Sequence, residues 1–217
     1  MAQYFVVHPT HPQPRLIRQA ASILAGSGVV AYPTDSSYAL GCRLDDAGGA
    51  KRIRTIRQLD DRHELTVLCR TLADVGEMAR LDNWRFRIVR AGTPGSFTFL
   101  VPATRDVPRR ALHARRSTVG VRVSSHPVVA ALLDANGGPM LTSTLQLPSD
   151  DAPLNDPRLI ESRLGSQIEL VIDAGPCANE PTTVIDLVGD TPIVVRHGRG
   201  DPAALGLVVG TADGTVA

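Results

Sequence analysis

The sequence lacks the long apolar runs and cysteine pairs that would assign the chain to a membrane or disulfide-rich class. Its 217 residues contain no apolar run of about 18 or more, so we expect no membrane span. The opening MAQYFVVHPTHPQPR lacks the basic-then-apolar order of a signal peptide and is interrupted by prolines. The three cysteines stand far apart without a CxxC pair, which predicts reduced, buried thiols in a cytoplasmic protein.

Common phosphate-binding and metal-binding motifs are also missing. The chain contains neither a GxxxxGK[ST] loop nor a GxGxxG sequence, so we expect no standard P-loop or Rossmann binding. His8 and His11 are three residues apart, but they lie in a segment broken by prolines and no cysteine or carboxylate cluster accompanies them, so we predict no metal site. Aromatic residues make up only 4%, which argues against base stacking on single-stranded nucleic acid.

The pattern of apolar residues predicts one α/β domain. We predict helices at 14–27, 47–58, 72–79, 82–91, 126–136 and 156–164, and strands at 29–32, 65–69, 97–101, 118–123, 140–145, 168–173, 182–187 and 191–196. Strands alternating with helices favour helices on the faces of a sheet, and the hairpin formed by the last two strands implies a mixed sheet. We expect a domain at 1–206 and a flexible tail at 207–217.

Charge is unevenly distributed along the chain. Residues 1–122 carry 19 basic against 10 acidic residues, whereas residues 123–217 carry 4 against 12. The basic residues cluster at 51–57 and 105–116, which favours phosphate-bearing ligands. Because 22 of the 23 basic residues are arginine, a compositional bias of the genome is the alternative explanation.

A polar turn follows the first predicted strand, in the segment YPTDSSYALG at 32–41. Hydroxyl groups and backbone N–H groups beyond a strand end are typical of ligand sites in open α/β sheets. An Asp/Ser turn that satisfies its own backbone is the alternative, and composition alone favours it.

This segment resembles the YPTDTxYGLG signature of the YrdC-like domain. The resemblance continues in the family's order through Ile53–Leu68, TPGSFT at 93–98, VGVR at 119–122 with His126-Pro127, 139–145, PTTVID at 181–186 and VRHG at 195–198. It implies a twisted, open mixed sheet flanked by helices, with a basic concave cleft. It also implies the chemistry of the family's synthases, which make threonylcarbamoyl-AMP from L-threonine, bicarbonate and ATP with Mg²⁺.

Two segments depart from the pattern of active synthases. Where these carry KxRP, this chain has Arg57-Gln58-Leu59-Asp60, and where they carry Ser-x-Asn it has Ser143-Thr144-Leu145. Both departures resemble the YciO branch of the family. A leucine cannot stabilise the charge that develops during adenylyl transfer, so the resemblance implies binding with weak or altered chemistry.

The resemblance also implies roles for individual residues. Those matching amino-acid-binding positions are Thr34, Ser36, His63 and Arg122, and those matching ATP-binding positions are Arg57, Thr118, Ser143 and Arg196. Some of these side chains have simpler interpretations: a structural ion pair for Arg122, a structural role at the end of the hairpin for Arg196, a hydroxyl satisfied by backbone for Ser143, and a plain loop residue for His63.

Two functions remain open from the sequence. One is an enzyme resembling threonylcarbamoyl-AMP synthase, slow or adapted to another amino acid. The other is a protein that binds ATP or AMP and double-stranded RNA or tRNA without catalysis, since RNA duplexes are recognised mainly through shape and backbone.

Overall fold

The computed structural model describes residues 1–59, 65–113 and 117–207. Its helices are α1 (Pro14–Ala25), α2 (Ala47–Arg57), α3 (Leu72–Met78), α4 (Asn83–Ala91), α5 (Pro127–Asn136) and α6 (Pro157–Leu164), with short 3-10 turns at Arg109–Ala111 and Pro202–Leu205. The strands are β1 (Gln3–Val6), β2 (Val30–Pro33), β3 (Tyr38–Arg43), β4 (Thr66–Cys69), β5 (Phe97–Pro102), β6 (Thr118–Val123), β7 (Met140–Thr144), β8 (Leu170–Asp173), β9 (Thr183–Asp186) and β10 (Ile193–Arg196). Every predicted helix and strand is present, with ends that differ by at most two residues.

The strands form one ten-stranded sheet in the order β1-β8-β2-β3-β7-β4-β6-β5-β9-β10. Strand β8 pairs in parallel with both β1 and β2, and parallel pairs also join β4 to β6 and β5 to β9. The other neighbours are antiparallel, including the closing hairpin of β9 and β10. The predicted mixed sheet flanked by helices is therefore confirmed. The tail predicted at 207–217 lies almost entirely outside the described residues.

The sequence analysis missed two strands, β1 and β3. Strand β1 lies in the N-terminal segment, which has too short an apolar stretch to stand out, and it pairs only along the sheet edge with β8. Strand β3 follows the polar turn directly and reads YALGCR, in which no residue is β-branched. It is a strand because it lies between β2 and β7, where Gly41 allows close packing: a Cβ there would lie 2.7 Å from the Tyr32 ring and 2.9 Å from Met140.

Helices cover the two faces of the sheet unequally. Successive residues of a strand point to opposite faces, and on β2 Val30 packs with α1 and α5 while Ala31 joins the cluster that contains α2, α3, α4 and α6. Helix α5 also covers Leu68 of β4 and Met140 of β7. On the same face, Thr66 lies two residues before Leu68 and Thr142 two residues after Met140, and neither belongs to the apolar clusters that the helices form with the sheet.

The three cysteines are free. Cys42 and Cys69 are buried, as predicted, and burial raises the pKa of the Cys42 thiol to about 12. Cys177 differs from the prediction because it is only half-buried, in the connection between β8 and β9. Burial still raises the pKa of its thiol to about 11.

Candidate functional site

A cavity of about 520 Å³ lies on the part of the sheet that the helices leave open. Its floor is a row of cross-strand partners: Thr142 of β7, Thr66 of β4, Gly120 of β6, Leu100 of β5 and Asp186 of β9. Neighbouring strands lie about 4.8 Å apart, so the row from β7 to β9 spans about 19 Å. Small side chains in most of the row leave room for an extended ligand above the sheet.

Arg57 and Ser143, both predicted to bind ATP, meet at one end of this cavity. Arg57 is the last residue of α2, and Asp46 begins that helix by accepting a hydrogen bond from the Gly49 N–H at 2.9 Å. The Arg57 Nη1 donates to Ser143 Oγ at 2.7 Å and to the carbonyl oxygen of Thr144. Arg57 Nε is buried without a partner in the described part of the chain.

Arg196, at the end of β10, lines the same cavity. Its Nε and Nη2 donate to the Thr182 carbonyl oxygen at 3.1 and 2.9 Å, and Nη2 also donates to Thr182 Oγ1 at 3.1 Å. Burial lowers the pKa of both Arg57 and Arg196, and a neighbouring arginine lowers each further. Within residues 1–59, 65–113 and 117–207 neither side chain forms an ion pair with a carboxylate. A bound anion would relieve this repulsion.

Arg122 lies between the cavity and a buried carboxylate. Its Nη2 donates to Asp35 Oδ1 at 2.8 Å, and the two side chains are only 7% and 11% exposed. Asp35 also accepts hydrogen bonds from Ser96 Oγ at 2.7 Å and from Ser124 Oγ. Burial alone would raise the pKa of Asp35, but Arg122 and these hydroxyls outweigh it and hold the pKa below its usual range. Arg122 therefore forms the ion pair that its simpler interpretation expects, while its Nε is buried without a partner in the described residues and the side chain lines the cavity.

The predicted amino-acid-binding hydroxyls lie behind Arg122. Thr34 and Ser36 are buried and line no part of the cavity wall. The Thr34 Oγ1 donates to the Ser37 carbonyl oxygen at 2.7 Å and accepts the N–H groups of Ser36 and Ser37 at 3.2 Å. The turn thus satisfies its own backbone. It contacts the cavity wall through Arg122 Nη2, which is 3.4 Å from Thr34 Oγ1.

The remaining predicted residues divide between the cavity and a segment that is not described. Thr118 lines the cavity, and its carbonyl oxygen accepts the His113 N–H at 3.1 Å. His63 lies in 60–64, outside the described residues.

Several wall residues were not singled out from the sequence. Thr182 and Asp186 both lie in the PTTVID segment that carries part of the resemblance, yet neither was assigned a role. Asp35 was treated only as a turn residue. Its position between two hydroxyl residues that were expected to bind a ligand is the signal that could have identified it.

Leu59 and Leu145, which replace polar residues of the synthase pattern, lie in apolar surroundings. Leu145 is fully buried in the core cluster, and its N–H donates to the Tyr38 carbonyl oxygen at 2.9 Å. Leu59 is half-buried and packs against the same cluster. Neither side chain lines the cavity.

The described residues show two further absences. They contain no group of three or more His, Cys, Asp or Glu side chains placed to hold a metal ion. Among them, no helix has the length and apolar character needed to cross a membrane.

Comparisons with known proteins identify related chains. The family model Sua5_yciO_yrdC, described as "Telomere recombination", matches residues 22–198. The Escherichia coli protein YciO is 48% identical over 201 residues, which is 93% of this chain and 98% of that one, and its crystal structure superposes with a TM-score of 0.91. A threonylcarbamoyl-AMP synthase of Alkalilimnicola ehrlichii is 33% identical over 174 residues, covering 77% of this chain and 87% of the synthase.

A more distant structure shares the fold. The crystal structure of Pyrococcus abyssi Sua5 complexed with L-threonine gives a TM-score of 0.83 at 23% identity. The superposition covers 91% of this chain and 58% of Sua5.

Proposed function

Because this chain belongs to the Sua5/YciO/YrdC family, with YciO of Escherichia coli among its relatives, we propose that the cavity binds a nucleotide, ATP or AMP. The observation that carries this proposal is a pair of buried guanidinium N–H groups, Arg57 Nε and Arg122 Nε, that have no partner among the described residues. A buried donor without an acceptor is costly, and both side chains line the cavity. Phosphate or carboxylate oxygens are the acceptors that suit a guanidinium best.

The phosphates would lie between Arg57 and Arg196. Burial lowers the pKa of Arg57 and the nearby Arg196 lowers it further, and in the described residues neither side chain has a carboxylate partner. The Ser143 hydroxyl accepts from Arg57 and retains its own proton for donation to a phosphate oxygen. The wall also carries threonine hydroxyls at 66, 98, 118, 142 and 182, which add neutral hydrogen-bonding groups.

We also propose chemistry related to threonylcarbamoyl-AMP synthase, in a weak or altered form. A relative that is 33% identical carries that name, and Sua5, which shares the fold, was crystallised with L-threonine. In this chain Arg122 would take the carboxylate of L-threonine or a similar amino acid. Mg²⁺ belongs to the proposal only as the ion that accompanies ATP.

The chemistry would be weak because two polar side chains of active synthases are replaced. Leu145 and Leu59 pack into the core and offer no donor to a phosphate in the transition state. Loss of one such donor costs about 10²–10³-fold in rate at other preorganised sites.

Isothermal titration with ATP and Mg²⁺, with and without L-threonine and bicarbonate, tests the proposal. We expect micromolar affinity for ATP that increases when L-threonine is present, followed by slow release of pyrophosphate. Absence of heat from either ligand would overturn the nucleotide site. Binding without pyrophosphate release would confine the function to binding.

Binding of double-stranded RNA or tRNA without catalysis is the second candidate. Lys51 on α2 and Arg105 and Arg109 near the 3-10 turn are exposed, and Arg110 Nη1 connects that turn to the Leu44 carbonyl oxygen, just before α2. Basic side chains on two neighbouring segments suit a phosphate backbone. An affinity for duplex RNA that falls steeply as the salt concentration rises would support this function. A variant that carries both Lys51→Gln and Arg109→Gln should bind duplex RNA more weakly, and an affinity equal to that of the wild-type protein would contradict this function.

A further inference from the structure

The cavity has opposite charges at its two ends. Arg57, Arg122 and Arg196 surround one end, and Asp186 is the only carboxylate among the described residues that line the wall. Asp186 is the last residue of β9, and its cross-strand partners are Leu100 and Ile193.

The separation between these ends follows from the sheet geometry. Arg196 is held by Thr182, four residues before Asp186 along the chain, and an extended chain rises about 3.3 Å per residue, which gives about 13 Å. Arg57 is held by Ser143 on β7, four strand spacings from β9, or about 19 Å across the sheet. None of the ion pairs in the described part of the chain includes Asp186.

The surroundings of Asp186 are apolar. The cavity wall next to it is formed by Leu100, Val184, Val188 and Val195. Val195 is 57% exposed at the rim, so this part of the wall is open to a ligand. Such a wall suits the face of a flat ring.

The Asp186 carboxylate retains capacity to bind a ligand. Its Oδ1 accepts the Val188 N–H at 2.7 Å, which fixes the orientation of the side chain. An ionised carboxylate has about four acceptor positions and no donor. It therefore favours a ligand group that donates a hydrogen bond, and it repels phosphate and carbonyl oxygens.

We propose that Asp186 is a specificity-determining residue that accepts a hydrogen bond from the nucleoside end of the ligand, preferentially from an exocyclic amine of the base. This inference rests on the proposed nucleotide site. The phosphates lie at the arginine end, and the base lies against Leu100, Val188 and Val195 with its amine towards Asp186. The distance of about 13 Å between Thr182, which holds Arg196, and Asp186 is of the order of the length of a nucleotide. A base that presents a keto oxygen in place of the amine is disfavoured.

Titration of the wild-type protein and Asp186→Asn with ATP, ITP and 2′-deoxy-ATP, each with Mg²⁺, tests the assignment. ITP replaces the exocyclic amine with a keto oxygen, and 2′-deoxy-ATP removes a ribose hydroxyl. We expect the wild-type protein to bind ITP at least about tenfold more weakly than ATP. In Asp186→Asn the amide can donate to the keto oxygen, so the two affinities should fall within about threefold of each other.

Asp190→Asn provides the matched control, because Asp190 is exposed in the same β9–β10 connection and does not line the cavity. It should retain the wild-type preference. Asp186→Asn keeps an acceptor for the Val188 N–H, and an unchanged melting temperature verifies that its turn is intact. If the wild-type protein binds 2′-deoxy-ATP more weakly than ATP and Asp186→Asn binds the two equally, Asp186 determines specificity by accepting a hydrogen bond from a ribose hydroxyl. If the wild-type protein binds the three nucleotides with equal affinity, the role of Asp186 is wrong but the nucleotide site stands. If it does not bind ATP, both the role of Asp186 and the proposed function are wrong.

Discussion

The cavity contains two kinds of arginine, and they differ in whether the charge has a partner. Arg122 forms a buried ion pair with Asp35, which in turn accepts hydrogen bonds from two serines. Arg57 is half-buried and Arg196 is exposed at the end of β10, and in the described residues they donate only to hydroxyl and carbonyl oxygens. The ion pair therefore fixes the geometry around Arg122, whereas Arg57 and Arg196 carry positive charge that a ligand can neutralise.

Loss of the ion pair between Arg122 and Asp35 should destabilise the protein most. Asp35→Ala leaves Arg122 as a buried charge without a partner, so the free energy of unfolding should fall by about 3–5 kcal/mol. Chemical denaturation measures this change. Asp45→Ala is the matched control, since it removes the exposed pair with Arg43 and should cost at most about 1 kcal/mol. Equal effects of the two variants would contradict the structural role of Asp35.

The sequence predicted the arginine end of the cavity better than the turn behind it. Arg57, Ser143 and Arg196 come from three distant segments, and the structure brings them to one cavity. The sequence could not show that the Thr34 hydroxyl forms hydrogen bonds within its own turn, because those bonds depend on backbone geometry rather than on residue type.

The fold shows the same limit. The helices and eight of the ten strands carry apolar patterns that the sequence shows, and they were predicted to within two residues. Strand β3 directly follows a polar turn and contains no β-branched residue, so residue types do not mark it, and its strand conformation depends on pairing with β2 and β7.

Leu145 is a core residue that does not line the cavity. Asn at this position would place an amide in the apolar cluster rather than in the cavity, so Leu145→Asn should lower the free energy of unfolding by about 2–3 kcal/mol. Leu59→Arg, at a half-buried position, should cost less, and it should account for any rise in pyrophosphate release when the two substitutions are combined in one protein. Denaturation and turnover of both single variants measure these effects. A faster, fully stable Leu145→Asn would show that this side chain reaches the ligand.

Arg57→Gln tests the ligand side of the comparison. It removes a buried cation that has no carboxylate partner in the described residues, so stability should change little while ATP affinity falls about 10–100-fold. Calorimetric titration and thermal melting measure the two quantities. Arg90→Gln, a change at an exposed position on α4, is the control and should leave both unchanged. If Arg57→Gln lowers stability but keeps its affinity for ATP, Arg57 has the structural role that is assigned here to Arg122.

The free energy of unfolding should also depend weakly on pH in the acid range. The pKa of Asp35 is lower in the folded protein than the usual value of 3.8, so its contribution is complete above that value and is lost as the pH falls through the folded-state pKa. The wild-type protein should therefore lose stability below a pH of about 4 more steeply than Asp35→Asn, which has no proton to bind at this position. Denaturation at a series of pH values measures the two slopes. Equal slopes of stability against pH for the two proteins would mean that Asp35 has the same pKa in the folded and unfolded states. Its pairing with Arg122 would then contribute nothing to the pH dependence.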